Sequence, residues 1–381
     1  MPNQRIFYAV QAVAIAPRGA GYLHPDYVVH GLQSVGMSST FTLDQVFEMG
    51  QIEIYENIEE VADIEVTLEK VIDGYNLIYD LATQGACKTS IVAASKTRSD
   101  VYLAVFDDGQ DHATGVPQTV CMNSGMYVSS VAYSYSVDGS ATESVTMVGN
   151  DRFWNSTAVT TEVQDPTHTW SGIYYGHSPD TASGFDAITG LGATGNITGS
   201  GGFTGSDSPL SGVVRRTDVL LGTDPGTYAS PGADSIVPAE VDLNKGNDPQ
   251  ANSSNRRIQS ISISTDFGQE NIQELGRFGP YHRYATFPIE VTAEFEVVSA
   301  SGDLVSVSGT APNLSNRTIV IKDNAGTVID LGEKNKLSSV SYSGGDTGGG
   351  NATVTYSYSN FNVLTVAGGS GVYFRQPYSY Q

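Results

Sequence analysis

Residues 33–50 read QSVGMSSTFTLDQVFEMG, and residues 259–276 read QSISISTDFGQENIQELG. Laid over one another without a gap, at an offset of 226 (259 − 33), they agree at six of 18 positions: Gln33/Gln259, Ser34/Ser260, Ser38/Ser264, Phe41/Phe267, Glu48/Glu274 and Gly50/Gly276. Most other positions exchange physical equivalents, such as Val46 for Ile272, Met49 for Leu275 and Asp44 for Glu270. Both stretches open on apolar and small polar residues in alternation, the period of a strand with one buried face. Both then predict a short helix, over 43–49 and 268–275. Thr42 with Gln45, and Asp266 with Gln269, have the spacing of a capping box. Val46 and Met49, like Ile272 and Leu275, fall three apart on one helical face. Gly50 and Gly276 are placed to end each helix in the left-handed conformation.

The parallel continues outward. Tyr55 meets Tyr281, and one deletion later Ile64-Glu65-Val66-Thr67 meets Ile289-Glu290-Val291-Thr292. DVYLAVFDDG (100–109) is echoed by RTIVIKDNAG (317–326), a strand running into an acidic turn. SVAYSYSVDGSATESVTMVGND (130–151) is echoed by SVSYSGGDTGGGNATVTYSYSN (339–360), a strand, a turn and a returning strand. In the first hairpin Tyr127, Val131, Tyr133, Tyr135 and Val137 are expected on one face, and Val128, Ser130, Ala132, Ser134 and Ser136 on the other. Asp138-Gly139 supplies a turn that tolerates positive φ.

The expected fold is therefore mainly β: two tandem copies of a β-sandwich or barrel unit, each with one short flanking helix. Residues 1–154 are read as the first unit and 256–381 as the second. Residues 155–255 are rich in Gly, Ser, Pro and Asp and read as a connecting or inserted region that partly completes its neighbours. Within it, GVVRRTDVLLG (212–222) predicts a strand.

Composition agrees. The 381 residues include 42 Gly and 21 Tyr, and only 16% are charged. That suits pleated sheets with glycine-rich turns better than surface helices. With 19 basic against 41 acidic residues the net charge is −22, which opposes tight binding of duplex DNA, since phosphate contacts need Lys and Arg. Cys87 and Cys121 make no disulfide framework and are expected as free thiols. The start, MPNQRIFYAVQAVAIAPRGA, reads as a strand rather than a leader, and no stretch has the length of about 20 apolar residues needed to span a bilayer.

Chemistry is not legible. His24, His30, His112, His168, His177 and His282 show no metal spacing. DDGQDH (107–112) lacks the spaced carboxylates and closing Glu of a calcium loop. GLGATGNITGSGG follows no strand and opens no helix, so it fails as a phosphate loop. No nucleophile has a motif-placed base. The expectation is no enzyme, no catalytic residue, no metal and no cofactor.

The run FTLDQVFEMGQIEIYENIEEVADIEVTLEKV, its partner DFGQENIQELGRFGPYHRYATFPIEVTAEFEV and the two Tyr/Ser/Thr hairpins resemble the tail tube proteins of long-tailed bacteriophages and the inner-tube proteins of contractile injection machines. The resemblance implies a β unit, six copies of which join edge to edge around a channel, with rings stacked into a tube. A chain carrying the unit twice implies three chains per pseudo-hexameric ring, with a true hexamer as the other possibility. It implies tail-tip or baseplate and tail-terminator proteins, and in some systems a sheath, as partners. It implies passage of genomic DNA without specific binding, no membrane partner, and a location in the virion after assembly in host cytoplasm. Strands bearing Tyr127, Val131, Tyr133, Tyr135, Val145 and Met147, and Val340, Tyr342, Val354, Tyr356 and Tyr358, are expected to build the tube wall and contact neighbouring units. The helices bearing Val46, Met49, Ile272 and Leu275 are expected outside it. The termini MPNQRIFYAVQAVAIAP and GVYFRQPYSYQ are candidates for reaching the next ring. An acidic channel would repel phosphate and let DNA slide. Two other readings stay open: a tail-tip or baseplate-hub protein built on the same unit, and a secreted β-rich adhesin or carbohydrate-binding protein.

Overall fold

The structure, a computed structural model, describes residues 6–17, 27–83, 91–106, 117–155, 212–221, 235–243, 257–276, 279–280, 282–299, 302–303, 305, 314–345 and 350–367. The expectations for Cys87, Tyr281, the 107–112 turn, His24, His112, His168, His177 and the C-terminal arm lie outside the described residues. The first half contributes β1 (Gln11–Pro17), β2 (Leu32–Thr40), β3 (Leu43–Phe47), β4 (Ile54–Glu59), β5 (Asp63–Val71), the short helices α1 (Ile78–Ala82) and α2 (Ile91–Ala94), β6 (Ser99–Phe106), β7 (Pro117–Ser136), β8 (Thr142–Gly149) and β9 (Asp151–Asn155). The second contributes α3 (Ala239–Leu243), β10 (Ile258–Asp266), β11 (Gln269–Ile272), β12 (His282–Ala285), β13 (Glu290–Val298), β14 (Val320–Lys322), β15 (Val328–Asp330), β16 (Lys336–Ser343), β17 (Thr353–Phe361) and β18 (Thr365–Ala367). The chain is mainly β, as its alternating stretches dictate.

Eight antiparallel strands make one continuous open sheet in the order β16-β17-β13-β10-β7-β8-β5-β2. Each half supplies four, in the same internal order: β7-β8-β5-β2 in the first and β16-β17-β13-β10 in the second. A second layer repeats too. β6, the N-terminal half of β7 and β9 pair in that order, as β14, β15 and β18 do; the long β7 corresponds to the separate β15 and β16. β1 adds antiparallel to β6, and at the matching place a single antiparallel bridge joins Ile236 to Val320.

Small irregularities fix the correspondence residue by residue. Gln33 and Gln259 are both bulged out of register. Each stands two residues after a left-handed position, Gly31 (φ 72) or Arg257 (φ 58), and each donates its Nε2 back to that residue's carbonyl. Ser34 Oγ then donates to Glu69 at 3.3 Å, and Ser260 Oγ to Glu296 at 3.2 Å. Ser129 in β7 and Ser338 in β16 are bulged alike. Equivalent residues are thus 226 apart between β2 and β10 (260 − 34), 227 between β5 and β13 (296 − 69), and 209 between β7 and β16 (338 − 129). Between β8 and β17 they are 211 apart (356 − 145), through the pairs Val131–Val145 and Val340–Tyr356. The sequence match of Ile64 with Ile289 is therefore two residues out of step, and Ile64 corresponds to Val291. The slip is invisible to a pattern of period two, because it leaves every side chain on its own face.

The core lies between the layers. Val66, Leu68, Tyr133, Val145 and Met147 from the first half join Ile261, Phe295, Tyr356 and Tyr358 from the second in one cluster with Val13, Ile15, Ile319, Ile321 and Ile329. α1 seals the first half, with all five residues buried. Its first amides, Ile78 N and Tyr79 N, donate to the Glu143 carboxylate at 2.6 and 3.1 Å. α3 does the same for the second half through buried Val241, and its Glu240 accepts from Arg317 and from Tyr358 Oη.

The flanking helices therefore exist, but not where the sequence placed them. Residues 43–49 hold β3, which pairs with β4, and residues 268–275 hold β11, which pairs with β12. Val46 and Ile272 are strand residues, and Met49 and Leu275 stand in the turns. Gly50 (φ 96) and Gly276 (φ 87) are left-handed as expected, but they turn hairpins rather than stop helices. Asp266 Oδ1 accepts from Gly268 N at 2.8 Å, a local turn bond rather than a helix cap. One i,i+3 apolar pair in seven residues fits either element, and partners 7–16 residues on decide in favour of pairing.

Candidate assembly surfaces

The eight-stranded sheet has one face against the core and one that no layer covers among the described residues. Alternation puts small hydroxyls on the open face: Ser260, Ser262 and Ser264 on β10, Ser134 and Ser136 on β7, Thr142, Ser144 and Thr146 on β8, and Thr353, Thr355, Ser357 and Ser359 on β17. Two acidic stripes cross it, Asp63, Glu65 and Glu69 on β5 and Glu290, Glu294 and Glu296 on β13, with Asp266 between them. Ser34, Ser260 and Ser357 hold Glu69, Glu296 and Glu294 by hydroxyl donation, at 3.3, 3.2 and 3.1 Å. Lys336, at the end of edge strand β16, is the one cation among the described residues of this face.

The residues expected in the tube wall lie on these strands but mostly on the other face. Val131, Tyr133, Tyr135, Val145, Met147, Val354, Tyr356 and Tyr358 are buried in the core, Val340 packs against it, and Tyr342 at the edge is 56% exposed. The bulge at Ser129 corrects the expected faces: Val128 pairs with Met147 and joins the core, whereas Tyr127 pairs with Val148 and turns away from it. The face that meets solvent was legible only as the complementary residues of each alternating run, the Ser, Thr and Glu between the aromatic and aliphatic ones.

Where the halves meet, β10 pairs with β7 from Ser260–Ser136 through Ile263–Tyr133 to Asp266–Ser130. The joint continues past the strands, with Val137 N on Gln259 O at 3.0 Å and Phe267 N on Ser129 O at 2.7 Å. β10 corresponds to β2 and β7 to β16. The joint therefore unites the β2-type edge of one half with the β16-type edge of the other, and β2 and β16 themselves form the two ends of the sheet.

The hairpins differ in the same way. β11–β12 lies over the strand ends of the first half. Gln269 Nε2 donates to Val128 O at 3.0 Å, and Tyr127 Oη and His282 Nδ1 are 3.0 Å apart. The Arg283 guanidinium, 7% exposed, pairs with Asp63 and donates to Asn150 Oδ1 at 3.2 Å. Burial, with the charges of Arg98 and Lys96, holds the His282 pKa below the usual imidazole value. β3–β4 is exposed at every position, including Leu43, Phe47 and Ile54. Neither arrangement brings together groups for covalent chemistry, and among the described residues no three metal-ligating side chains converge.

No protein family matches the chain, and no curated protein matches it. Solved structures that resemble it are components of contractile injection systems and of a gene transfer agent virion. The sheath–tube complex of the extracellular contractile injection system PVC in its extended state is 11% identical, with a TM-score of 0.31 over 41% of this chain and 95% of that one. The tube-terminating cap of the anti-feeding prophage is 10% identical, with a TM-score of 0.30 over 40% and 92%. The virion of the native gene transfer agent is 9% identical, with a TM-score of 0.27 over 40% and 99%.

Proposed function

We propose that the chain is a structural virion protein that closes into rings and stacks them as a hollow tail tube for DNA passage. Its units are 1–154 and 256–381, with 155–255 connecting and partly completing them, as the Ile236–Val320 bridge supports. The observation that carries the reading is the β10–β7 joint. It is head-to-tail, and the edges it uses inside the chain are the edges left open at the chain's ends. A head-to-tail contact repeated between copies gives a ring when its rotation closes, and closure pairs the exposed N–H and C=O groups of β2 and β16.

Strand number favours three chains. Three chains bring 24 strands (three times eight) to one barrel. At about 4.8 Å per strand that is a circumference of roughly 115 Å and a backbone diameter near 37 Å before tilt. Subtracting about 5 Å of side chain on each side leaves about 27 Å, enough for a duplex, whereas two chains would leave about half that. The Ser, Thr and Glu face, turned inward, would present hydroxyls and carboxylates to passing phosphate, which repels it. The protein would act without catalysis, with tail-tip, terminator and, in a contractile tail, sheath proteins as its partners.

The joint predicts its own intermolecular register. Ser264–Ala132 across β10 and β7 corresponds to Ser38–Ser341 across β2 and β16 of two chains (264 − 226 and 132 + 209). These positions stand at opposite ends of a sheet about 34 Å wide, so Ser38→Cys with Ser341→Cys can cross-link only between chains. Oxidation should give dimer and trimer bands that end at three chains, with neither single variant doing so. Absence of cross-links would refute the edge pairing, and a ladder running past three would refute the three-chain ring.

A further inference from the structure

The two hairpins are built alike, but among the described residues only β11–β12 has a surface within the chain to lie on. Its contacts with the first half can be carried to their counterparts by the equivalences that the bulges fix. Tyr127 with His282 becomes Lys336 with Glu56 (127 + 209, 282 − 226). Asp63 with Asn271 and Arg283 becomes Glu290 with Gln45 and Asn57 (63 + 227, 271 − 226, 283 − 226). Asn150, under Arg283, becomes Phe361 (150 + 211).

All six counterparts are exposed, Phe361 at 53%. They are also complementary, although only Glu290 and Gln45 keep the kind of group they replace. An ammonium meets a carboxylate. Two amide donors meet a carboxylate. Phe361 falls under the hairpin face that carries Leu43, Phe47 and Ile54, which are 52%, 64% and 40% exposed.

We propose that the 43–59 hairpin is an intermolecular clamp that lies on the second unit of a neighbouring copy, with Glu56 on Lys336, Gln45 and Asn57 on Glu290, and Phe361 covered. The proposal rests on the ring reading. It makes the two kinds of joint chemically distinct: the one inside the chain is anchored by a buried guanidinium, and the one between chains by an accessible charge pair around an apolar contact. The outer joints are then the ones at which a ring assembles and opens.

The test is charge exchange on the full chain. Lys336→Glu and Glu56→Lys are compared, singly and together, with wild type by sedimentation and negative-stain microscopy over a concentration series. Each single variant places like charges at the contact and should raise the concentration needed for assembly about tenfold or more, while its thermal midpoint, read below the concentration at which either protein assembles, stays that of the wild-type chain because both residues are exposed. The double variant restores the opposite pair and should assemble near the wild-type concentration. Single variants that assemble like wild type, or a double variant no better than the singles, overturn the clamp. A wild-type chain that stays monomeric at every concentration overturns the ring reading instead.

Discussion

Gly31 and Arg257 hold equivalent left-handed positions at the start of equivalent strands, yet only one is glycine. A Cβ on Gly31 would stand 2.5 Å from Asp73 Oδ2, whereas Arg257 already carries one. Gly31→Ala should therefore lower stability by about 1–2 kcal/mol, from left-handed strain and the clash. Arg257→Ala should change it less, both read from denaturant midpoints. Glu143 is the other telling residue. Burial raises its pKa, opposed by the Lys70 charge, by the Tyr79 and Ile78 amides and by the Tyr133 hydroxyl. Lys70 is itself buried beside Asp73 at 3.3 Å. An acid whose folded pKa is raised keeps its proton to higher pH when folded than when unfolded, so stability declines as pH rises through and above the ordinary carboxylate range. Glu143→Gln should remove that decline. Its thermal midpoint should gain on the wild-type value as pH rises from about 4, and a constant difference would count against the assignment. Asp323 and Asp330, also raised by burial, and Glu240, held low against its burial by Arg317 and Tyr358, are shared by both proteins and cancel.

At the scale of elements, the hairpins show how a short segment takes its structure from its surroundings. Residues 43–47 and 269–272 pair with the segments that follow them, and among the described residues only β11–β12 is then held down. Arg283 is the anchor, because its guanidinium is buried while Asp63 is 58% exposed. Arg283→Ala should lower stability by about 1.5–3 kcal/mol, the range for hydrogen bonds to charged groups. Amide hydrogen exchange should quicken over 269–285 and stay slow in β10 and β13 if the hairpin is released on its own. Uniform quickening across the sheet would mean that it is part of the core's cooperative unit.

At the scale of the whole molecule, charge distribution is the property with most consequence. Seven carboxylates and one Lys stand on the open face among its described residues (Asp63, Glu65, Glu69, Asp266, Glu290, Glu294 and Glu296 against Lys336). If that face lines a channel, replacing Glu65, Glu69, Glu294 and Glu296 by Lys should turn assemblies that ignore duplex DNA into ones that retain it, with retention falling steeply as salt is raised. Filter binding at two salt concentrations decides the matter. Unchanged, weak binding by the variant would place the acidic face away from the DNA path.

The mainly β class of the fold and the recurrence of one strand pattern were written in the sequence. Alternation of period two writes strands directly, and 33–50 against 259–276 marks where the same strand order begins again. Both Tyr/Ser/Thr hairpins and the left-handed Gly50 and Gly276 were legible for the same reason: local backbone preference suffices to specify them. Three features came from long-range packing. It made 43–47 and 269–272 strands, because strand formation needs a partner that no local pattern contains. It exchanged the faces of Tyr127 and Val128, because a bulge shifts the parity of everything beyond it and leaves no mark in composition. It set Ile64 against Val291, because a slip of two keeps every side chain on its face and only the inter-strand hydrogen bonds distinguish the registers.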